Sequence, residues 1–229
     1  MLPITAIYNA PGRDYEAMVK NLKASADLVG YDLKIYNVAE DPMRRYKDRN
    51  SYDVTCYFKP RVIQQALREV GDVLWIDSDC LFQGRVDELL QDCDVAVTLR
   101  RFNPMKIRSI EDGYINAGVM AFRNNERVHA FIEQWIENTK SSRWDQDAMN
   151  KLLLRYSDLT EHGIENMGGV KVNIVSCDIY NYFYFDDNIQ QHEYFAKILH
   201  VKGSLRDKYY NRIVKRLLQD KGELICQPH

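Results

Sequence analysis

Residues 73–82 read Val-Leu-Trp-Ile-Asp-Ser-Asp-Cys-Leu-Phe, and this stretch decides the fold. Four apolar residues lead into two carboxylates, Asp77 and Asp79, and apolar residues then resume. A run this short and apolar is typical of a buried strand in a parallel sheet. Since side chains alternate along a strand, the spacing predicts that both carboxylates point to the same side.

Two carboxylates beside a buried strand have two interpretations. Ionised carboxylates are almost never buried without a partner. At the carboxyl end of a sheet strand, where open α/β folds bind ligands, a hard divalent cation with its phosphates is a suitable partner. Alternatively, the pair caps the strand and accepts hydrogen bonds from loop amides, which is the better interpretation of an isolated D-x-D. The apolar lead-in and the motifs downstream favour a metal–diphosphate site.

The segments before this strand alternate between strand and helix patterns. Residues 3–9 and 33–38 are predicted strands, and a helical pattern begins at Asp14 and lies between them. Residues 40–55 are predicted to form a loop or a short helix. Pro60 is predicted to open the next helix, because proline is tolerated in a first helical turn. This alternation predicts an α/β fold with a parallel sheet of doubly wound type.

The second half of the chain is less regular. Its predicted strands are residues 94–99, 115–122, 170–176 and 180–185, and its predicted helices are residues 127–138, 145–156 and 207–218. No Pro/Gly/Ser-rich linker divides the chain, so we expect one domain over residues 1–229.

Composition argues against several classes of protein. A net charge of −2 argues against a protein whose main task is to bind nucleic acid. The sequence has no run of 18 apolar residues, so no membrane span is expected, and its first residues lack the pattern of a signal peptide. Five cysteines without C-x-x-C spacing indicate reduced thiols. We therefore expect a soluble cytoplasmic protein, in the host cytoplasm if the source is viral.

Residues 114–122, Tyr-Ile-Asn-Ala-Gly-Val-Met-Ala-Phe, combine an apolar strand with a step of small residues. Such a step lets a ligand approach the backbone closely, and Asn116 can hydrogen-bond to sugar hydroxyls. A β-bulge with a structural glycine is the better interpretation of this segment alone.

Residues 143–150, Arg-Trp-Asp-Gln-Asp-Ala-Met-Asn, place Asp145 and Asp147 near a predicted helix start. Carboxylates are favoured there by the helix dipole, so capping is one interpretation. In the other, one of these carboxylates holds a bound sugar or faces the reacting carbon, and Trp144 forms a wall of the pocket.

Residues 199–208, Leu-His-Val-Lys-Gly-Ser-Leu-Arg-Asp-Lys, contain a histidine after an apolar run. The neutral imidazole of His200 can complete the coordination of a divalent ion held by carboxylates. Lys202, Gly203 and Lys208 could then close over a diphosphate by charge and backbone amide. A structural histidine is the alternative.

In this order, the segments resemble the nucleotide-sugar-dependent glycosyltransferases of GT-A fold, with a Rossmann-like, mixed and mostly parallel sheet flanked by helices. The similarity is to small, mostly retaining families with a D-x-D strand, an N-A-G strand, a D-Q-D helix and a late H-x-x-G loop. Lys59-Pro60, ahead of the acidic strand, adds to the resemblance, which covers roughly residues 3–208.

The resemblance implies transfer of a sugar from a nucleoside-diphosphate donor, a UDP-sugar in preference to a GDP-sugar, to a glycan or glycoprotein acceptor with retention. It also implies Mn²⁺ or Mg²⁺ as cofactor. Within the single domain, it implies a nucleotide-binding half at residues 1–80 and a donor-sugar and acceptor half at residues 81–229.

Residue by residue, the resemblance implies that Asp79 is the main metal ligand, that Asp77 binds the metal or the ribose, and that His200 is the third protein ligand. It makes Asp145 or Asp147 the catalytic carboxylate. The other implied contacts with the nucleotide and donor are Tyr8 and Asn9 to the base, Arg13 near the phosphates, Lys59, Asn116 to the sugar, and Lys202, Gly203 and Lys208 to the diphosphate. Residues 206–209 replace the common K-P-W ending, which leaves open which basic residue meets the β-phosphate.

Two other functions compete with this one. A sugar nucleotidyltransferase needs a glycine-rich basic loop after the first strand, which Pro11-Gly12-Arg13 only faintly resembles. A non-catalytic scaffold that binds glycans or nucleotide sugars would keep the fold and lose turnover. Metal-dependent binding of a nucleotide sugar separates a transferase from a scaffold, and release of pyrophosphate indicates the nucleotidyltransferase.

Overall fold

A computed structural model describes residues 1–7, 15–38, 51–100, 114–142, 144–183, 194–201 and 205–219, with backbone only at 51–57, 183, 205–209 and 218–219. Within these residues the strands are β1 (Leu2–Ile7), β2 (Lys34–Asn37), β3 (Val73–Ile76), β4 (Cys80–Phe82), β5 (Val95–Leu99), β6 (Ile115–Phe122), β7 (Gly163–Met167), β8 (Val170–Ser176), β9 (Tyr182–Phe183) and β10 (Ile198–His200). The helices are α1 (Tyr15–Leu28), α2 (Ser51–Val70), α3 (Glu126–Thr139), α4 (Asp145–Leu153), α5 (Cys177–Tyr180) and α6 (Leu205–Gln219).

The strands form two sheets. The main sheet has seven strands in the order β2-β1-β3-β6-β5-β8-β7. Strands β6 and β7 run opposite to the other five, because β6 pairs antiparallel with β3 and β5, and β7 pairs antiparallel with β8. The predicted α/β fold with a mixed, mostly parallel sheet is therefore confirmed. A small second sheet has the order β4-β10-β9.

The first four residues of the stretch at 73–82 form β3, an inner strand of the main sheet between β1 and β6. All four residues of β3 are buried, and their side chains alternate between two cores. Val73 and Trp75 pack with the apolar faces of α2, α3 and α4. Leu74 and Ile76 pack on the other side with residues of α1, β4 and β10. Because both faces of the sheet are covered, β3 reads as a continuous apolar run.

Most predicted elements match observed ones, but the prediction for Pro60 was wrong. Helix α2 begins at Ser51, and Pro60 lies inside it. A proline in a helix interior removes one backbone donor and weakens the helix locally. Here Val62, Ile63 and Leu67 anchor the following turns in the core, so packing outweighs this local loss.

Two other differences concern short elements. Strand β7 was not predicted, and it forms a hairpin with β8 through Gly168 and Gly169, whose φ angles are +59° and +87°. The strand predicted at residues 180–185 begins only at Tyr182, since α5 ends at Tyr180, and residues 184–185 lie outside the described residues.

Within the described residues, no helix combines the length and hydropathy needed to cross a lipid bilayer. The side chains of Cys80, Cys93 and Cys177 are described, and these three are buried and form no disulfide.

Candidate active site

Asp77 and Asp79 lie in a turn that joins the main sheet to the small one. Strand β3 ends at Ile76, and the N–H of Cys80 donates to the carbonyl of Asp77 at 3.0 Å. The N–H of Asp77 donates to the carbonyl of Gly118 on β6 at 2.8 Å, which fixes the start of the turn. The two carboxylates point to the same side, as predicted, since both face the same nitrogen of His200. The reason offered was wrong, because neither residue belongs to β3 and the turn, not strand alternation, aligns them.

His200 reaches this turn through the small sheet. Strand β10 pairs antiparallel with β4, which places His200 opposite Cys80, and the N–H of Val201 donates to the carbonyl of Asp79 at 3.0 Å. The imidazole is fully buried, with Nε2 3.1 Å from Asp79 Oδ1 and 4.0 Å from Asp77 Oδ2. The structure thus brings together the three side chains predicted as metal ligands.

The donor atoms at this turn suit a cation. Asp79, Cys80 and His200 each offer one ligand atom, and these atoms lie within 4.8 Å of one another. A carboxylate oxygen and an imidazole nitrogen at 3.1 Å attract each other only with a proton or a metal ion between them. Carboxylates suit Mn²⁺ and Mg²⁺, and neutral imidazole is a common metal ligand. The donor set therefore fits the cofactor that the sequence predicts.

Lys59 on α2 is buried and joins two of the predicted carboxylates. Its ammonium lies 2.9 Å from Asp77 Oδ1 and 2.9 Å from Asp145 Oδ2, and it donates to the carbonyl of Ala117 at 2.9 Å. An ammonium has three N–H donors, so these acceptors match its capacity. Lys59 was predicted to contact the nucleotide or its sugar, and that contact stays a prediction.

The two oxygens of Asp77 have different surroundings. Oδ1 accepts from Trp75 Nε1 at 2.8 Å and faces Lys59, whereas Oδ2 faces His200. Burial, the largest influence, raises the pKa of Asp77, and Asp79 raises it further. The positive charge of Lys59, with contributions from His200 and from the hydrogen bond of Trp75, outweighs both effects, so the pKa of Asp77 lies below its ordinary value. The carboxyl group is therefore ionised at neutral pH.

Strand β6 is irregular beside this cluster. Its register with β5 shifts between Val97 and Thr98, so the β-bulge interpretation of residues 114–122 is confirmed. The bulge frees backbone groups that the site then uses, because Ala117 donates to Gln146 Oε1 at 3.3 Å and accepts from Lys59. β-Bulges often lie next to active sites for this reason.

The glycine of this bulge lies against the histidine. A Cβ on Gly118 would lie 2.4 Å from His200 Cε1 and 2.6 Å from His200 Nδ1, closer than any real contact. The sequence predicted that a ligand would approach the backbone closely at this step of small residues. In this structure the group that approaches the backbone of Gly118 is the imidazole of His200.

The remaining described site residues lie on β6 and α4. Asn116 is fully buried, and its Oδ1 accepts from the N–H of Gly118 at 2.8 Å. Among the described residues, Asn116 Nδ2 has no hydrogen-bond partner. Asp145 is the first residue of α4, and Asp147 in the same turn is 2% exposed. Their contact with a sugar stays a prediction.

Several predicted residues lie outside the described part of the chain. They are Tyr8, Asn9, Arg13, Lys202 and Gly203, and Lys208 is described only by its backbone in α6.

Sequence reasoning missed two side chains of this site, Trp75 and Asn181. Trp75 is the one residue of β3 whose side chain can donate a hydrogen bond, a signal that was available. Asn181 interrupts the aromatic run at residues 180–185, and its Oδ1 lies 2.8 Å from His200 Nδ1. A single polar residue in a run of aromatics was the available signal for this contact.

Comparisons with known proteins identify a family and a fold. A family model described as nucleotide-diphospho-sugar transferase matches residues 23–209. A search of curated protein sequences gives no match. Among solved structures, a glycosyltransferase involved in glycosylation of the major capsid of PBCV-1 is 12% identical, with a TM-score of 0.60, over 93% of this chain and 98% of that one.

Two other solved structures are similar in fold. The galactosyltransferase LgtC, in complex with donor and acceptor sugar analogs, is 14% identical, with a TM-score of 0.55, over 100% of this chain and 98% of that one. The glycosyltransferase GlyE of Streptococcus pneumoniae TIGR4 is 16% identical, with a TM-score of 0.56, over 97% of this chain and 60% of that one. The GT-A fold implied by the sequence is therefore confirmed.

Proposed function

Because the chain belongs to the nucleotide-diphospho-sugar transferase family, we propose that it is a metal-dependent glycosyltransferase that moves a sugar from a UDP-sugar to a glycan or protein-linked acceptor with retention. The observation that carries the metal dependence is the position of His200. Its buried Nε2 lies 3.1 Å from Asp79 Oδ1 and 4.0 Å from Asp77 Oδ2.

We assign Asp79, His200 and Oδ2 of Asp77 to holding the cation. Lys59 and Trp75 engage Oδ1 of Asp77, which leaves the second oxygen directed at His200. When bound there, Mn²⁺ or Mg²⁺ supplies Lewis-acid stabilisation of the negative charge that develops on the departing diphosphate. Among the described side chains, Lys59 is shared by Asp77 and Asp145, and Asp79 faces His200, so these neighbouring carboxylates would attract a cation.

We assign Asp145 to holding the donor sugar. Its Oδ2 lies 2.9 Å from Lys59, which is also bound to Asp77, so the lysine sets the position of Asp145 relative to the metal ligands. A carboxylate that is already paired with a lysine is poorly suited to remove the proton of the acceptor. An inverting enzyme needs such a base, and this engagement is our reason for proposing retention. Asp147 is the second candidate for the sugar contact.

The remaining contacts of the donor follow the sequence predictions. We assign the base to Tyr8 and Asn9, and the phosphates to Arg13, Lys202, Gly203 and Lys208. Positive groups near the β-phosphate add to the stabilisation of the leaving group. The Nδ2 of Asn116 is a candidate donor to a sugar hydroxyl. A glycan acceptor is in keeping with the acceptor sugar analog named for LgtC.

The proposal is tested by binding and by turnover. We expect the thermal midpoint of the wild type to rise only when a UDP-sugar and Mn²⁺ are both present, since a ligand at a hundred times its dissociation constant stabilises a fold by about 2.7 kcal/mol. The same panel with GDP-sugars and Mg²⁺ identifies the nucleotide and metal. UDP release with glycan acceptors measures turnover, and NMR of the product reads its anomeric configuration.

Two variants make the test specific. Asp79→Asn should abolish the midpoint shift, and Asp27→Asn, which changes an exposed aspartate paired with Lys23, should leave it unchanged. Absence of a shift with any nucleotide sugar and metal contradicts the proposal. A shift without UDP release from any acceptor supports the scaffold alternative, and an inverted product contradicts retention.

A further inference from the structure

The orientation of one side-chain amide decides which nitrogen of His200 faces the carboxylates. Nδ1 of His200 lies 2.8 Å from the side chain of Asn181, and both residues are fully buried. If Asn181 presents its oxygen, Nδ1 must carry the ring hydrogen and donate it. If Asn181 presents its nitrogen, Nδ1 must accept, and the hydrogen of the neutral ring moves to Nε2.

The backbone of the β6 bulge settles the orientation. The N–H of Gly118 can only donate, and it lies 2.8 Å from Asn116 Oδ1, which identifies that atom as an oxygen. Asn181 approaches the same oxygen at 2.9 Å, so the group that it presents there is its NH₂. An Asn181 turned the other way would place two oxygens against each other in a buried site.

The second hydrogen of this NH₂ also has an acceptor. Asn181 Nδ2 donates to Thr98 Oγ1 at 2.8 Å, and the Thr98 hydroxyl donates in turn to the backbone carbonyl of Asn116 at 3.0 Å. Both hydrogens of the amide are thus used within the protein. The oxygen of Asn181 is left to face His200.

We infer that Asn181 is a positioning residue which, held by Asn116 and Thr98, keeps the ring hydrogen of His200 on Nδ1 and directs the lone pair of Nε2 toward Asp79 and the cation. Gly118 adds to this effect, because the imidazole packs directly on its Cα, where a Cβ would collide with the ring. The inference rests on the proposed metal dependence. Partners that orient a metal-binding histidine through its other nitrogen also raise the affinity of the site.

The affinity test separates positioning from packing. Asn181→Leu removes the acceptor for Nδ1, and we expect Mn²⁺ affinity, measured by calorimetry without nucleotide, to fall roughly 10- to 100-fold. Asn181→Asp keeps an acceptor for Nδ1 but loses both donors, so it should be less stable than wild type and still bind Mn²⁺ more tightly than Asn181→Leu. Thr139→Val, which removes a buried hydroxyl that bonds within α3, is the matched control and should bind Mn²⁺ normally.

The outcomes are distinct. A purely structural role predicts that affinity falls in step with stability in both variants, and that result would overturn the inference. The inference would also be overturned if the Mn²⁺ affinity of Asn181→Leu were within twofold of that of the wild type.

A second readout needs no variant at Asn181 and no metal. Long-range ¹H–¹⁵N spectra of the metal-free wild type, at a pH where His200 is neutral, should show the hydrogen on Nδ1. The signal is assigned by its loss in His200→Gln. A hydrogen on Nε2 overturns the inference. If the wild type binds no Mn²⁺, the metal dependence fails, but this spectrum still decides the tautomer.

Discussion

Lys59 is buried, whereas an ordinary lysine is exposed to solvent. It is 7% exposed, and its ammonium is surrounded by Asp77, Asp145 and the carbonyl of Ala117. Removing one partner of a buried ion pair destabilises a protein more than replacing both partners by apolar residues, because the remaining charge stays buried without a partner. Here one lysine balances two carboxylates from different elements.

We therefore expect Lys59→Met to lower the free energy of unfolding by roughly 3 kcal/mol, since Asp77 and Asp145 lose their common partner. Lys34→Met removes a more exposed lysine that pairs with Glu69, and it should cost less than about 1 kcal/mol. Urea unfolding of both variants measures the difference. Equal losses in the two variants would contradict the structural role assigned to Lys59.

At the residue scale, the sequence predicted which side chains meet but not why they meet. Asp77, Asp79 and His200 were proposed from the order of their motifs, and the geometric reason offered for the aspartates was wrong. A turn and a second sheet bring these three side chains together, and neither the turn nor the short strands of that sheet leave a periodic hydrophobic pattern in the sequence. Asn181 was missed because its role depends on hydrogen bonds to Asn116 and Thr98, which lie in distant segments of the chain.

At the start of β5, one carboxylate connects several secondary-structure elements. Asp94, just before β5, accepts from Asn125, the N-cap of α3, at 2.9 Å, from Arg127 at 3.1 Å and from the N–H of Lys171 at 2.9 Å. The side chain of Asn125 accepts in turn from Val128. One carboxylate thus joins a strand, a helix N-terminus and the neighbouring strand β8.

This carboxylate gives the fold a pH dependence. Burial raises the pKa of Asp94, but the hydrogen bonds from Lys171, Asn125 and Arg127 outweigh it, so the pKa lies below its ordinary value. A lowered folded pKa gives stability that is complete above the unfolded value of about 3.9 and is lost as the pH falls through the folded pKa. Between pH 5 and 3, the urea midpoint of the wild type should fall more steeply than that of Asp94→Asn. Parallel profiles would contradict this assignment.

At the scale of elements, long and strongly patterned segments were predictable and short ones were not. Strand β6, with all eight residues buried, was predicted with its bounds. The β7–β8 hairpin was missed although Gly168-Gly169 is a recognised hairpin signal, because β7 is exposed at the edge and has no clear alternation. The prediction began helix α2 too late, because the preference of proline for a first helical turn was given more weight than the packing of the residues after Pro60.

In the whole molecule, the candidate site lies where the two sheets meet. The main sheet was predictable, since strand and helix patterns alternate over the first 80 residues. The small sheet was not predictable, because its strands are two or three residues long and β4 is distant in sequence from β9 and β10. A fold of this kind can be recognised from its larger sheet, while its chemistry depends on the smaller one.

A cation held by Asp79 and His200 would join the turn after β3 to β10. We therefore expect Mn²⁺ to slow hydrogen–deuterium exchange in β4 and β10, and to leave the edge strand β7 unchanged. Mass spectrometry with and without Mn²⁺ measures this, and Asp79→Asn should remove the effect. Equal protection of all strands, or of none, would argue against a metal site at this junction.

The pairing of β4 with β10 also has a consequence for the order of events during synthesis. His200 lies opposite Cys80 on adjacent strands, yet more than half of the chain separates the two residues. During translation, Asp77 and Asp79 emerge long before the histidine that faces them, and pairing of strands so distant in sequence is slow. The acidic turn must therefore exist without its histidine until the C-terminal third of the chain has emerged. Binding of the proposed cation would then be among the last steps in the maturation of the enzyme.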